Sequence, residues 1–279
     1  MNYFTRCFAL LLAIHLTACR GPKAVLIAGD QATQAAPAAA APRYTLGPDT
    51  AGRRFDHTSW GAVLAIGVKS DGTINYAALR RHEDMLNAYL VEAGDVVLDE
   101  LTRHEQLALL LNVYNACTVK MILEHPRVRS VNSIPSAFRW SHTGWVINRA
   151  GVSLERLERV YIRGRFPDPR INFALVRGAR GSPPLRAEPY DGRTIDEQLN
   201  DQARRVCADP RFVKWIDEKN LLRLGGLFSQ QRRDFAADDA GLVRALLPWL
   251  PAEIREAITR RARINVAYEK FDWRLNGTW

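Results

Sequence analysis

The chain reads as an α+β protein: a single helix-rich domain around a buried central helix at about 105–123, with a small sheet. Three observations predict it. Leu107 to Leu123 is apolar on nearly every side, which a helix tolerates when protein surrounds it. Helical patterns outweigh extended ones, yet short extended runs recur from about residue 73 to 268. The composition, 47% hydrophobic and 25% charged over 279 residues, suits an ordinary globular protein with a substantial core.

The N-terminus stands apart. Arg6 supplies a thin positive start, Phe8 to Leu16 a short apolar run interrupted by His15, and Leu16-Thr17-Ala18-Cys19 its end. A run this short fits a signal peptide over 1–18 rather than a membrane span. Its last four residues resemble a bacterial lipobox, which implies cleavage before Cys19 and a lipid on the Cys19 sulfur; a plain secretory signal is the alternative. Arg20 is not the aspartate that typically retains lipoproteins at the inner membrane, so the resemblance implies an outer-membrane anchor facing the periplasm. Residues 19–54, rich in Ala, Pro, Gln and Gly, then read as a flexible tether, and the globular domain is expected over 55–279.

Taken in order, Phe55 to Gly67 suggests a first helix, Asp71-Gly72 a turn, Thr73 to Tyr76 a short extended piece, and Ala77 to Ala93 a second helix. Thr102 can cap the central helix, with Glu105 in its first turn. Asn112 and Asn115 share a face of it, near Tyr114 and Thr118. Buried amides need partners. They either hold a reacting group or ligand, or pin neighbouring loops to the core. Trp145 to Asn148 reads as a strand, and Ser153 caps a helix running through Arg163. On that helix Glu158 lies towards Leu154, Leu157 and Tyr161, where a carboxylate acts as a general base or pairs with one of the many arginines.

Asp168 to Leu185 is the most distinctive stretch. Ile171, Phe173 and Leu175 alternate with Asn172, Ala174 and Val176 as in a buried strand. Gly178 and Gly181 bracket a loop free to take positive φ or approach another group closely, and Ser182 precedes Pro183, which favours an extended backbone. Arg177 and Arg180 make the loop positive. It reads either as a site for a small anion or carbonyl, built from unpaired N–H groups and guanidinium forks, or as a connection whose serine caps a turn. Downstream, Thr194 to Glu197 matches a capping box for a helix to about Cys207, Phe212 to Ile216 and Leu221 to Leu224 read as strands, Ala240 to Leu250 and Ala252 to Arg263 as helices, and Ile264 to Tyr268 as a last strand.

A formal charge of +9 is spread over dispersed arginines without a basic helix or an aromatic RNA-binding motif, so a solvated basic surface is expected and nucleic acid is not. No Cys-x-x-Cys or paired histidine spacing points to a metal, and no cofactor is expected. Cys117 reads as a small buried hydrophobe; a Cys117–Cys207 disulfide is permitted by an oxidising periplasm but not indicated.

Asp71-Gly72 with Asn75-Tyr76, Leu111 to Ala116, Ser153-Leu154 with Glu158, Asp168 to Pro184, Asp234-Phe235 and Phe271 to Asn276, taken together, resemble the family of domain-of-unknown-function proteins numbered 547, over Phe55 to Trp279. The resemblance carries no established reaction. It does imply cysteine where this chain has Arg177 and Ser182, and histidine where it has Asn172 and Arg159. Thiol and imidazole together are the ingredients of nucleophilic catalysis. Their replacement implies a non-catalytic or degenerate site that binds a small anionic or peptide-like ligand through Arg177, Gly178 and Arg180, with Asn112, Tyr114, Asn115, Asp168 and Arg170 as further contacts. The alternative is a hydrolase or acyl transferase in which Ser182 is the nucleophile and Glu158 and Asn172 act as base or orienting group. A third reading makes the loop a surface for a partner protein.

Overall fold

The computed structural model describes residues 21–27 and 44–279, so the expected signal segment 1–18, the lipidation site Cys19 and residues 28–43 of the expected tether lie outside the described residues. The fold is α+β, as expected. Its first core forms around the central helix. After β1 (Lys23–Leu26) come α1 (Thr58–Gly67), β2 (Ile74–Asn75), α2 (Tyr76–Arg81), α3 (Glu83–Gly94) and the 21-residue α4 (Arg103–Leu123). Thr102 caps α4 by accepting the Glu105 N–H at 3.2 Å. The helix is long and apolar enough to cross a membrane, but 89% of its most apolar window is covered by the protein itself.

The helix expected over Ala77 to Ala93 is two helices, broken at His82. Beyond α4, β3 (Trp145–Ile147) and β4 (Ala150–Val152) pair antiparallel through Asn148 and Arg149, both at positive φ, as a two-residue hairpin turn requires. Then α5 (Leu154–Arg156), capped by Ser153, runs on as a π-helical stretch, Leu157–Arg163.

Ile171, Asn172, Phe173 and Ala174 are a helical turn, α6, where alternation suggested a strand. Every residue from Ile171 to Val176 is buried, so hydrophobic period could not separate the two conformations. The local chemistry decides for the turn: the Asp168 carboxylate accepts the Arg170 N–H at 2.8 Å, and Asn172 and Phe173 close backbone bonds onto Pro169 and Arg170.

α7 (Ile195–Ala208) joins two cores. Ile195 and Leu199 pack with α4, whereas Ala203, Val206 and Cys207 pack against a four-stranded sheet. The capping box expected at its start does not form, since Thr194 makes no side-chain cap. β5 (Val213–Ile216) and β6 (Leu221–Leu224) are antiparallel neighbours. The segment α8 (Gly226–Gln230), α9 (Arg232–Phe235), α10 (Asp239–Leu246) and α11 (Ala252–Thr259) leads to β7 (Arg263–Tyr268), parallel to β6. The chain ends on β8 (Gly277–Thr278), parallel to β2.

The sheet order is β1-β7-β6-β5, and this corrects the expectation of an uninterrupted tether over 19–54. Val25 lies opposite Ile264 and is buried in the second core. Further on, Tyr44 stacks on Trp249 and the Leu46 N–H bonds Asp196 at 2.8 Å. An alanine- and proline-rich composition conceals a four-residue strand because one inward valine is enough to seat it beside a strand whose inner face is already apolar. If so, Val25→Asp lowers stability by about 2–3 kcal/mol, the cost of an uncompensated charge in an apolar sheet face. A thermal melt checks this; a free tether would leave the midpoint unmoved.

Candidate functional site

Four of the residues singled out from sequence converge. Glu158, on the π-helical turn after α5, receives the Tyr114 O–H from α4 at 3.2 Å and the Arg177 Nη2–H at 3.1 and 3.3 Å. Asn172 stands beside them through an arginine that sequence reasoning missed. Arg163 donates from Nε to Glu158 at 3.0 Å and from Nη2 to Asn172 Oδ1 at 2.8 Å, and its Nη1 pairs with Asp234. Asn172 is fixed from its other end by donating to the Pro169 carbonyl at 3.1 Å. Glu158 and Arg163 are five residues apart, one turn of a π-helix and not of an α-helix. That spacing is why an i,i+4 search does not find the pair.

The centre is electrically closed. Two carboxylates, Glu158 and Asp234, face two guanidinium groups, Arg163 and Arg177. Burial pushes the Glu158 carboxyl upward, but Arg177 and Arg163 outweigh it and hold it below the ordinary glutamate range. Burial also raises the Tyr114 phenol far above its ordinary value, so it stays protonated and donates. A carboxylate with a depressed pKa and every oxygen engaged by a donor is a poor general base.

Ser182 is elsewhere and is not displayed. It is 3% exposed, and its hydroxyl donates to the Ala179 carbonyl at 2.6 Å. The amides expected to cradle an anion are also spent: the N–H groups of Arg180, Gly181 and Ser182 bond the carbonyls of Arg274, Asp272 and Ala179. The reason is the C-terminal segment, which lies along the loop. A Cβ on Gly181 would fall 2.6 Å from the Asp272 nitrogen, while Gly178 takes φ +66. Both glycines serve packing. The expected display of the Ser182 hydroxyl as a nucleophile and of these amides as a cradle for a small anion or carbonyl is therefore corrected.

The other expected ligand contacts are structural as well. Asn112 is clamped on the Tyr190 peptide, donating to its C=O at 2.8 Å and accepting its N–H at 2.9 Å. Asn115 does the same for the turn after α6, donating to Ala174 O at 3.0 Å and accepting from Val176 N at 2.9 Å. Arg170 is fully buried in a fork on Asp168, with a further bond to Asp196 at 2.8 Å. Cys117 and Cys207 are unpaired, lie in different cores, and have thiols that burial pushes up, away from a nucleophilic thiolate. No group of three or more His, Cys, Asp or Glu able to hold a metal occurs among the described residues.

Arg180 alone of the loop's ligand candidates remains exposed and without a side-chain hydrogen bond among the described residues. Together with Arg211 it lines a cleft of about 280 Å³ between Thr73, Pro184 and the C-terminal segment. Asn276 lines it too. Its Oδ1 accepts the Tyr76 O–H at 2.9 Å, which turns the Nδ2 away, buried and without a partner among the described residues.

A family model described as "Protein of unknown function, DUF547" matches residues 98–206, from the entry to α4 through most of α7. No curated protein and no solved structure matches the chain.

Two outcomes test the assignments. Asn115→Leu leaves the Ala174 carbonyl and the Val176 N–H without partners, so it costs about 3 kcal/mol in urea denaturation. Glu158→Gln leaves two guanidinium groups on a neutral amide and costs about 2–4 kcal/mol at pH 7. Because the Glu158 pKa is depressed in the fold, its contribution is fully present above the ordinary glutamate range and disappears as pH falls through the lower folded value. The stability difference between wild type and Glu158→Gln therefore holds near neutral pH and shrinks as the pH is lowered below the ordinary glutamate range.

Proposed function

We propose that this chain belongs with the family whose model it matches, and that it is a lipid-anchored cell-envelope protein binding a small anionic ligand without turning it over. The observation that carries the reading is the convergence on one cleft of two guanidinium groups, Arg180, which makes no side-chain hydrogen bond among the described residues, and Arg211, against the single carboxylate of Asp71. Arg211 keeps a fork on Asp209, so it offers its field and its remaining N–H groups. Guanidinium N–H groups set around a small concavity suit carboxylate or phosphate oxygens. The ligand site thus lies at Arg180 and not at Arg177, whose Nη2 is engaged by Glu158.

The absence of turnover rests on two features. Ser182 Oγ is buried with its proton committed to a carbonyl, and the Glu158 centre holds two arginines in place of a nucleophile and base. The anchor rests on the lipobox resemblance at Leu16 to Cys19, and an outer-membrane position facing the periplasm rests on Arg20.

Thermal shift with phosphate, malonate and citrate tests the ligand. At least one of them raises the midpoint saturably, equally for wild type and Ser182→Ala, and the shift is lost in Arg180→Ala. Hydrolysis of ester or peptide substrates that Ser182→Ala abolishes would sink the proposal. The anchor is read independently: Cys19→Ala no longer incorporates labelled palmitate, whereas wild type does.

A further inference from the structure

A second cleft, of about 810 Å³, opens between the start of α1 and the loop that precedes α7. Its wall is apolar, made by Phe55, Ala62, Ala65 and Pro189, and Glu105 of α4 lies at its floor. The carboxylate is 1% exposed, yet its two oxygens are held unequally. Oε1 accepts from His57 Nε2 at 2.8 Å. Oε2 has a long contact from the Gly192 N–H at 3.3 Å, and its nearest guanidinium, Arg54 Nη1, stands 3.7 Å away.

Because both ends of the Asn112 amide are fixed by the Tyr190 peptide, its Nδ2–H faces His57 Nδ1 at 3.2 Å. The same nitrogen stands 3.4 Å from the Tyr89 hydroxyl, and the opposite ring nitrogen, Nε2, faces Glu105. Arg54 is divided between Glu105 and Asp49, at 3.7 and 3.5 Å, and its side chain is 43% exposed. Arg193 is closed in a fork on Asp191. Asp56, also lining the cleft, has no cationic partner among the described residues. Oε2 is thus the less fully engaged oxygen of a nearly sealed carboxylate, with its nearest guanidinium beyond hydrogen-bond reach, and an apolar wall beside it strengthens its interaction with any charge that arrives.

We propose that this cleft binds a small organic cation, a primary amine whose ammonium group donates to Glu105 Oε2 and whose apolar body lies on Phe55, Ala62, Ala65 and Pro189. An anionic ligand would have to enter against both Glu105 and Asp56. The site is separate from the Arg180 cleft and does not depend on it.

The test uses phenethylammonium as probe and 3-phenylpropanoate, of similar shape and opposite charge, as control. Titration calorimetry and the ¹⁵N shifts of the His57 ring are followed on the same protein. Phenethylammonium binds saturably and moves the His57 ring signals, and 3-phenylpropanoate does neither. Glu105→Gln weakens binding about tenfold or more, as loss of a desolvated charge partner does. Since Glu105→Gln can also disturb folding, Ala65→Leu, which fills the cleft from an exposed position of α1, gives a second reading with the carboxylate intact. It too blocks the amine. Saturable binding of the carboxylate instead of the amine, binding of neither, or amine binding that survives Ala65→Leu overturns the proposal.

Discussion

The constraint on which the rest depends is the burial of α4. A helix enclosed on every side can carry a polar side chain only if that side chain finds its partner inside the protein. Each polar residue on α4 therefore acts as a fastener whose position sets where another segment must run. Glu105 holds His57 and the Gly192 backbone, Asn112 the Tyr190 peptide, Tyr114 the Glu158 carboxylate, and Asn115 the turn from Ala174 to Val176. The Glu158 centre and the Glu105 cleft are thus two regions of one arrangement, fixed by residues ten positions or fewer apart on a single helix.

How much of this was legible follows from which signals are local. The central helix could be read because its apolar character is continuous and its cap adjoins it. The Asn112 and Asn115 partners could not, because nothing in a helix sequence says which distant carbonyl an amide will meet. The turn at Ile171 to Ala174 was mistaken for a strand since complete burial erases the periodicity that distinguishes the two. Lys23 to Leu26 escaped notice because an edge strand needs only one inward residue and its partner, Ile264, lies 239 positions along the chain. At the candidate site, Glu158, Asn172 and Arg177 were recognised as residues of consequence, while Arg163 was hidden by π-helical spacing and Ser182 was misjudged from a flanking proline.

The glycines of the 178–182 loop show how a correct local inference can lead to the wrong chemistry. A loop free to take positive φ or to approach another group closely was anticipated; Gly178 takes positive φ and Gly181 makes the close approach. What approaches is the chain's own C-terminal segment rather than a ligand. Once the Arg274 and Asp272 carbonyls accept the loop amides, no cluster of free N–H groups is left there for an oxyanion. The same docking leaves the Arg180 side chain exposed, and the segment that takes up the loop amides also lines the Arg180 cleft through Asn276 and Gly277.

Charge balance distinguishes the Glu158 centre from the two clefts. With Arg163 and Arg177 facing Glu158 and Asp234, the four formal charges cancel, and the hydroxyl of Tyr114 and the amide of Asn172 fill the remaining hydrogen-bonding directions. Such a network stabilises the protonation states it already has and leaves no proton to move. At the Arg180 cleft one guanidinium makes no side-chain hydrogen bond among the described residues; at the Glu105 cleft one carboxylate oxygen has only a long N–H contact and a guanidinium beyond hydrogen-bond reach. The internal pairing is least complete at these two concavities, and that incompleteness is what the two proposals rest on.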